Sequence, residues 1–330
     1  MNVISDPVAA VRQAGGEPAA RLMIALEDRL EELATGHGAQ LGRFAGNTIT
    51  AGGKRLRPLL LFLAAGAPPP ESEALLRSAV AVELVHSATL VHDDVLDGSP
   101  LRRGRPTVIA TGGRLAATAT GDLLFSRAFA ELVRSGTLAA VRVLSRASSE
   151  LAGGELMQRA DAWRAVSVDR YLERCRLKTA VLFRAACELG ALEGANGDGG
   201  SDRPVQALGD FGERIGLAFQ LLDDVLDVSS PPERTGKPRG ADLLDGTVTL
   251  PLILAREHDR ELAGLDLRSV TSPERAAEVC VRIGATGALE ECRARALALV
   301  AGAKEALPGL ASRQRDALEL IADGVVERYS

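Results

Sequence analysis

The sequence predicts an all-α protein. Ala, Leu, Arg and Glu dominate its 330 residues, aromatic residues make up only 3%, and alternating β-branched runs are scarce. With 46% hydrophobic and 25% charged residues, the chain has the composition of a globular protein with a large core.

Helical periodicity is followed through Ala19 to Leu33, Leu56 to Gly66, Glu71 to Asp97, Gly121 to Ser135 and Val141 to Met157. It resumes over Val168 to Leu192, Val205 to Val228, Thr249 to Glu257, Pro273 to Ile283, Ala285 to Ala306 and Ser312 to Arg328. Gly, Pro, Asp and Ser cluster in the breaks at 67–70, 98–106, 194–204 and 231–246. No linker separates regions of contrasting composition, so the expectation is a flexible tail over 1–18 and one all-α domain over 19–330.

The net charge of -5 excludes a global basic field of the kind that holds nucleic acid. Cys175, Cys187, Cys280 and Cys292 form no Cys-x-x-Cys pair, and no secretory leader or long uninterrupted apolar run is evident. These observations predict free thiols, a cytoplasmic location and no membrane span.

The pentapeptide Asp-Asp-Val-Leu-Asp occurs twice, as Asp93-Asp94-Val-Leu-Asp97 and Asp223-Asp224-Val-Leu-Asp227. Each ends an apolar helical stretch, where the first and last carboxylates lie one turn apart on a shared face. Negative charge at a helix C-terminus is disfavoured by the helix dipole, so a compensating cation is expected. Hard oxygen donors of this kind suit magnesium, which takes a few carboxylates together with water and phosphate oxygens. A single such motif is more often a solvated helix end; two in apolar helices argue against that.

Basic residues accompany both motifs. Gly52-Gly53-Lys54-Arg55-Leu-Arg57-Pro58 joins three cations to a helix start, a phosphate grip without Walker spacing. Arg102-Arg103-Gly104-Arg105-Pro106-Thr107 follows the first acidic motif, and Gly236-Lys237-Pro238-Arg239-Gly240-Ala241-Asp242 follows the second. Arg forks and Lys charges suit diphosphate oxygens.

In order and placement, these segments, with Gly-Gly-Glu-Leu-Met-Gln at 153–158, Leu-Lys178-Thr179-Ala and Phe219-Gln220, resemble the trans-isoprenyl diphosphate synthase (polyprenyl synthetase) family. The likeness runs from about Ala51 to Pro251 and is closest to medium- and long-chain members. It implies the type I isoprenoid synthase fold, antiparallel helices around a central cavity, and a homodimer. It further implies that Asp93, Asp94, Asp97, Asp223, Asp224 and Asp227 gather Mg2+, three ions in all, around an allylic diphosphate, only some of the six being direct ligands. Arg102, Lys178 and Lys237 match contacts to that diphosphate. Lys54, Arg57, His86 and Arg103 match the isopentenyl diphosphate site, and Thr179 and Gln220 match groups near the reacting carbon.

Ala88 and Thr89 match positions that limit how far a growing chain descends, with Leu84 and Val85 one turn deeper. Small residues there imply a product of C30 or longer, with geranylgeranyl diphosphate (C20) or a binding subunit of a heteromeric synthase as alternatives. A terpene cyclase would not need the second diphosphate grip. Two departures from the family pattern are Thr247, where many relatives carry Lys, and Ile109, where His is common. His92, Met157 and Trp163 are assigned to packing, and a lipid product released to membrane is expected.

Overall fold

The computed structural model describes residues 15–35, 39–49, 53–66, 71–102, 104–194, 203–231 and 238–327. The expected tail up to residue 14, the breaks at 67–70 and 195–202, and the candidates Arg103 and Lys237 lie outside the described residues.

The fold is all-α. Its helices are α1 (Gly16–Thr35), α2 (Ala39–Ile49), α3 (Leu56–Ala64), α4 (Glu73–Asp97), α5 (Val108–Ser135), α6 (Leu138–Asp161) and α7 (Val168–Cys175). A π-helical turn, Arg176–Ala180, links α7 to α8 (Val181–Glu193), and α9 (Arg203–Ser229) follows. Then come α10 (Ala241–Leu244), α11 (Leu250–His258), α12 (Arg260–Gly264), a 3-10 turn at Leu267–Ser269, α13 (Pro273–Gly284), α14 (Ala288–Glu305) and α15 (Ser312–Glu327). The sheet among the described residues is a two-residue ribbon, β1 (Leu101–Arg102) against β2 (Arg105–Pro106), with Arg102 opposite Arg105.

Contacts gather into two compact units. The first comprises Met1–Ser148, Leu182–Gly212 and Leu307–Ile321; the second comprises Ser149–Val181, Glu213–Ala306 and Ala322–Ser330. Four of the five boundaries fall within α6, α9 and α15 and at the start of α8, and the fifth lies between α14 and α15.

In the first unit α4 is the central element. Its residues from Ser78 to Val85 are buried without a break, as expected for a helix apolar around its whole circumference, and α5 lies along it. Among the described helices it alone is long and apolar enough to cross a membrane, yet 67% of its apolar window is buried inside the protein. Arg55, one of the three cations of the basic grip, turns inward from a left-handed backbone (φ 44°). Its guanidinium donates to Glu83 Oε1 (2.6 Å), Glu27 Oε1 (2.8 Å) and the Ile49 carbonyl (2.8 Å). The expected grip of three cations is thereby reduced to Lys54 and Arg57, because Arg55 neutralises a carboxylate buried in α4.

In the second unit α11 packs on α7, α13 and α14. Trp163 packs on Gly246, where any Cβ would overlap its indole ring, and donates its backbone N–H to the Gly246 carbonyl at 2.8 Å. All four cysteines are unpaired and buried, Cys187 in the first unit and the other three in the second. Burial pushes the Cys280 and Cys292 thiols up to about 12, and those of Cys175 and Cys187 higher still.

Candidate active site

The first acidic motif is the last turn of α4, closed by Gly98 in the left-handed conformation (φ 63°). Asp97 is exposed, Asp93 is half-buried and Asp94 is only 5% exposed. The β1–β2 ribbon folds back on this turn, so that Arg102 Nε and Nη2 reach Asp94 Oδ1 at 2.9 and 2.8 Å. Thr107 fixes the end of the ribbon by donating to the Ser99 carbonyl (2.7 Å) while accepting the Ala110 N–H that caps α5. The carboxylates left unfavourably at the helix end thus meet a guanidinium.

Lys54 is exposed at the head of α3, and His86 is half-buried on α4. The Arg57 guanidinium lies 4.4 Å from the centre of the Phe183 ring, and its Nε is buried with no hydrogen-bond partner. Burial presses its pKa down to about 10, against the pull of Glu83, so it stays charged at neutral pH. A half-buried guanidinium whose buried Nε is unsatisfied is what an anion would complete.

On α4 the half-buried residues His86, Thr89, Leu90 and Asp93 recur at three- and four-residue spacing, one stripe descending from the acidic turn. Thr89 lies on it, its hydroxyl donating to the His86 carbonyl at 2.8 Å. Leu84, Val85 and Ala88 are fully buried and lie off it. The structure therefore separates Thr89 from the other three candidates for chain-length control.

In the second unit, Asp223 is exposed, Asp227 is half-buried and Asp224 is 2% exposed. The Tyr171 hydroxyl donates to Asp224 Oδ2 (2.7 Å) and Gln220 Nε2 donates to Oδ1 (2.7 Å). Thr179 Oγ1 in turn donates to Gln220 Oε1 at 2.8 Å. Asp227 receives the Asp242 backbone N–H at 3.4 Å.

Asp94 and Asp224, expected among six metal carboxylates, are both turned inward onto protein donors. The outward carboxylates of the pentapeptides are Asp93, Asp97, Asp223 and Asp227.

Lys178 and Thr179 stand in the π-helical turn, an arrangement common at functional sites. Gly154, from the Gly-Gly-Glu segment of α6, allows that turn to approach: a Cβ there would lie 2.6 Å from the Lys178 backbone N. The next residue, Glu155, pairs with Lys178 Nζ at 2.5 Å. Tyr171, Glu155 and Asp242 were not foreseen. Tyr171 stands seven residues before Lys178, about two helical turns, and that register was the signal available.

The outward carboxylates of each motif, taken by itself, are hard oxygen donors of the kind a divalent cation takes. Burial, the charge of Asp242 and that of Asp223 together push Asp224 up to about 8, against the hydrogen bonds from Tyr171 and Gln220. A cation on the outward carboxylates would relieve that repulsion. Among the described residues no three such side chains form a cage by themselves, so phosphate oxygens and water would complete its shell.

Two helices ending in paired carboxylates, the first met by Arg102, define a class of protein that handles diphosphates within an all-α fold. A family model described as polyprenyl synthetase matches residues 39–281, and the chain belongs to that family and is a prenyltransferase. The heptaprenyl diphosphate synthase component 2 of Geobacillus stearothermophilus is 41% identical over 244 residues, covering 74% of this chain and 75% of that protein. The geranylgeranyl diphosphate synthase of Methanosarcina mazei is 38% identical over 288 residues, covering 85% and 87%. Among solved structures, a polyprenyl synthase from Caulobacter crescentus complexed with calcium and isoprenyl diphosphate superposes with a TM-score of 0.87 at 35% identity, covering 98% of each chain. The heptaprenyl diphosphate synthase of Staphylococcus aureus superposes equally well, TM-score 0.87, at 28% identity over 94% of this chain and 99% of that one.

Proposed function

We propose that this trans-prenyl diphosphate synthase joins isopentenyl diphosphate head-to-tail to an allylic diphosphate in a Mg2+-dependent reaction, with a product of C30 or longer. The observation that carries the reading is the doubled acidic helix end, each with outward carboxylates and one carboxylate turned onto protein donors.

In the reaction, the C–O bond of the allylic diphosphate breaks and its electron pair leaves with the diphosphate. The double bond of isopentenyl diphosphate attacks the resulting carbocation, and a proton is then lost to the departed diphosphate. Mg2+ bound with Asp93, Asp97, Asp223 and Asp227 would supply charge stabilisation for the leaving group. Arg102, Lys178 and Lys237 hold its remaining oxygens, while Lys54, Arg57, His86 and Arg103 hold those of isopentenyl diphosphate. Thr179 and Gln220 border the reacting carbon. The acceleration comes from alignment and electrostatics, with no nucleophilic side chain.

Thr89, a small residue on the accessible stripe of α4, supports the longer product. Relatives named for C20 to C40 products make geranylgeranyl diphosphate the competing outcome. A relative named as component 2 of a heptaprenyl synthase keeps a heteromeric assembly as a second reading. We infer a homodimer in the cytoplasm; the apolar Leu115 and Val133 of α5, 85% and 67% exposed, support an interface, and the four free thiols support a reducing compartment. Incubation with isopentenyl diphosphate, Mg2+ and separate C5, C10, C15 and C20 primers, followed by chain-length analysis, tests the whole reading. Absence of elongation with every primer would refute it for the isolated chain.

A further inference from the structure

Tyr171 has no part in the chemistry proposed so far, yet its hydroxyl is fixed at the base of the second acidic motif. We propose that Tyr171 is a positioning residue that sets the polarity of the oxygens at the reacting carbon. The inference rests on the proposed reading that Thr179 and Gln220 border that carbon.

Tyr171 is fully buried, and a phenol hydroxyl in such a place is costly unless it is bonded. It donates to Asp224 Oδ2 at 2.7 Å, fixing the rotation of a carboxylate that is itself 2% exposed. The other oxygen, Oδ1, faces Gln220 at 2.7 Å. The Gln220 amide turns its nitrogen to Asp224 and its oxygen away, toward Thr179. That oxygen takes the single hydroxyl hydrogen of Thr179 at 2.8 Å.

The chain of donors therefore runs from Thr179 to Gln220 to Asp224, with Tyr171 closing it from the other side. With its hydrogen committed to Gln220, Thr179 presents lone pairs to its surroundings. An electron-poor allylic carbon is stabilised by lone pairs and destabilised by a hydroxyl hydrogen. Without the Tyr171 hydroxyl, Asp224 can rotate, the amide can invert, and the Thr179 hydrogen can turn outward. The effect falls on the ionising transition state and leaves ground-state binding of diphosphate and metal largely intact.

The test is Tyr171→Phe, Thr179→Val and the double variant, read by kcat and KM for the allylic primer and by Mn2+ binding in electron paramagnetic resonance without substrate. Tyr171→Phe is expected to lower kcat roughly 10- to 100-fold, with primer KM and Mn2+ affinity within about 2-fold of wild type. The double variant should be no slower than Thr179→Val alone, because both changes interrupt one chain. Unchanged kcat, multiplicative losses, or a parallel loss of Mn2+ affinity would overturn the inference. If Tyr171→Phe does not fold, Asp224→Asn serves instead: it either turns an amide donor toward Gln220 and gives the same kcat-selective loss, or keeps kcat and overturns the inference. A wild type that elongates no primer overturns the parent reading and this one with it; an active wild type beside an equally active Tyr171→Phe overturns this one alone.

Discussion

Gly153 and Gly154 are neighbours on α6, and replacing each by alanine should have opposite consequences. At Gly153 an added Cβ meets nothing within 4 Å, so Gly153→Ala only removes glycine's conformational cost in a helix. That change should stabilise the protein by about 0.5–1 kcal/mol. At Gly154 the Cβ would lie 2.6 Å from Lys178 N, 2.9 Å from Leu177 C and 2.9 Å from Leu177 Cβ, where ordinary contact begins at 3.4 Å. The π-helical turn must therefore retreat from α6 by about 0.8 Å, the shortfall against that 3.4 Å contact. Such overpacking costs about 1–3 kcal/mol, which exceeds the helix-propensity gain. A net loss of about 1–2 kcal/mol lowers Tm by roughly 1–3 °C in a chain of this size. Because the retreating atoms are the backbone of Lys178 and its neighbour, a displacement approaching 1 Å should cost up to roughly 100-fold in kcat. Thermal melting and steady-state kinetics of the two single variants measure both effects. Equal damage at both positions, or wild-type kcat and Tm for Gly154→Ala, would refute the idea that this glycine exists to admit the Lys178 turn.

Asp93→Ala and Asp223→Ala should each lower turnover by roughly 1000-fold or more and weaken Mn2+ binding while circular dichroism and Tm stay near wild type, since both carboxylates face outward. Chelation by EDTA should abolish elongation, and added Mg2+ should restore it; activity persisting in EDTA would remove the metal from the scheme. Thr89→Phe places a ring on the accessible stripe of α4 and should shorten the main product by one or more isoprene units, whereas an unchanged length on chromatography would put the floor elsewhere. Arg57→Leu should raise KM for isopentenyl diphosphate about 10-fold or more with little change in primer KM, because it removes a half-buried charged donor; equal effects on both substrates would dissociate Arg57 from that subsite.

The long helices were legible because their apolar residues recur at helical spacing, and α4 emerged within two residues of its observed start. The early part of α5 was missed because Gly112-Gly113 looks like a break, and Gly113 does leave helical geometry there (φ 76°) even though the helix resumes. Short α2, with two glycines and no long apolar run, gave no usable pattern. The π-helical turn shifts register by one residue, below what periodicity resolves. Site residues were legible where composition was abnormal, as in the doubled pentapeptide. They were not legible where the role depends on a distant partner: Arg55 is claimed by Glu83, 28 residues away, and Tyr171 by Asp224, 53 residues away. For the same reason the sequence could not tell which aspartates of each motif point outward.

The buried cysteines give the molecule its own opening gauge. A thiol reagent reacts with a thiolate in contact with solvent, and burial denies these groups both. Labelling at each site must then wait for the surrounding helices to open. Because Cys187 belongs to one compact unit and Cys175, Cys280 and Cys292 to the other, mass spectrometry of time-quenched samples would follow the two units separately. Substrate added during such a time course would show which unit a diphosphate tightens first, with no engineered probe.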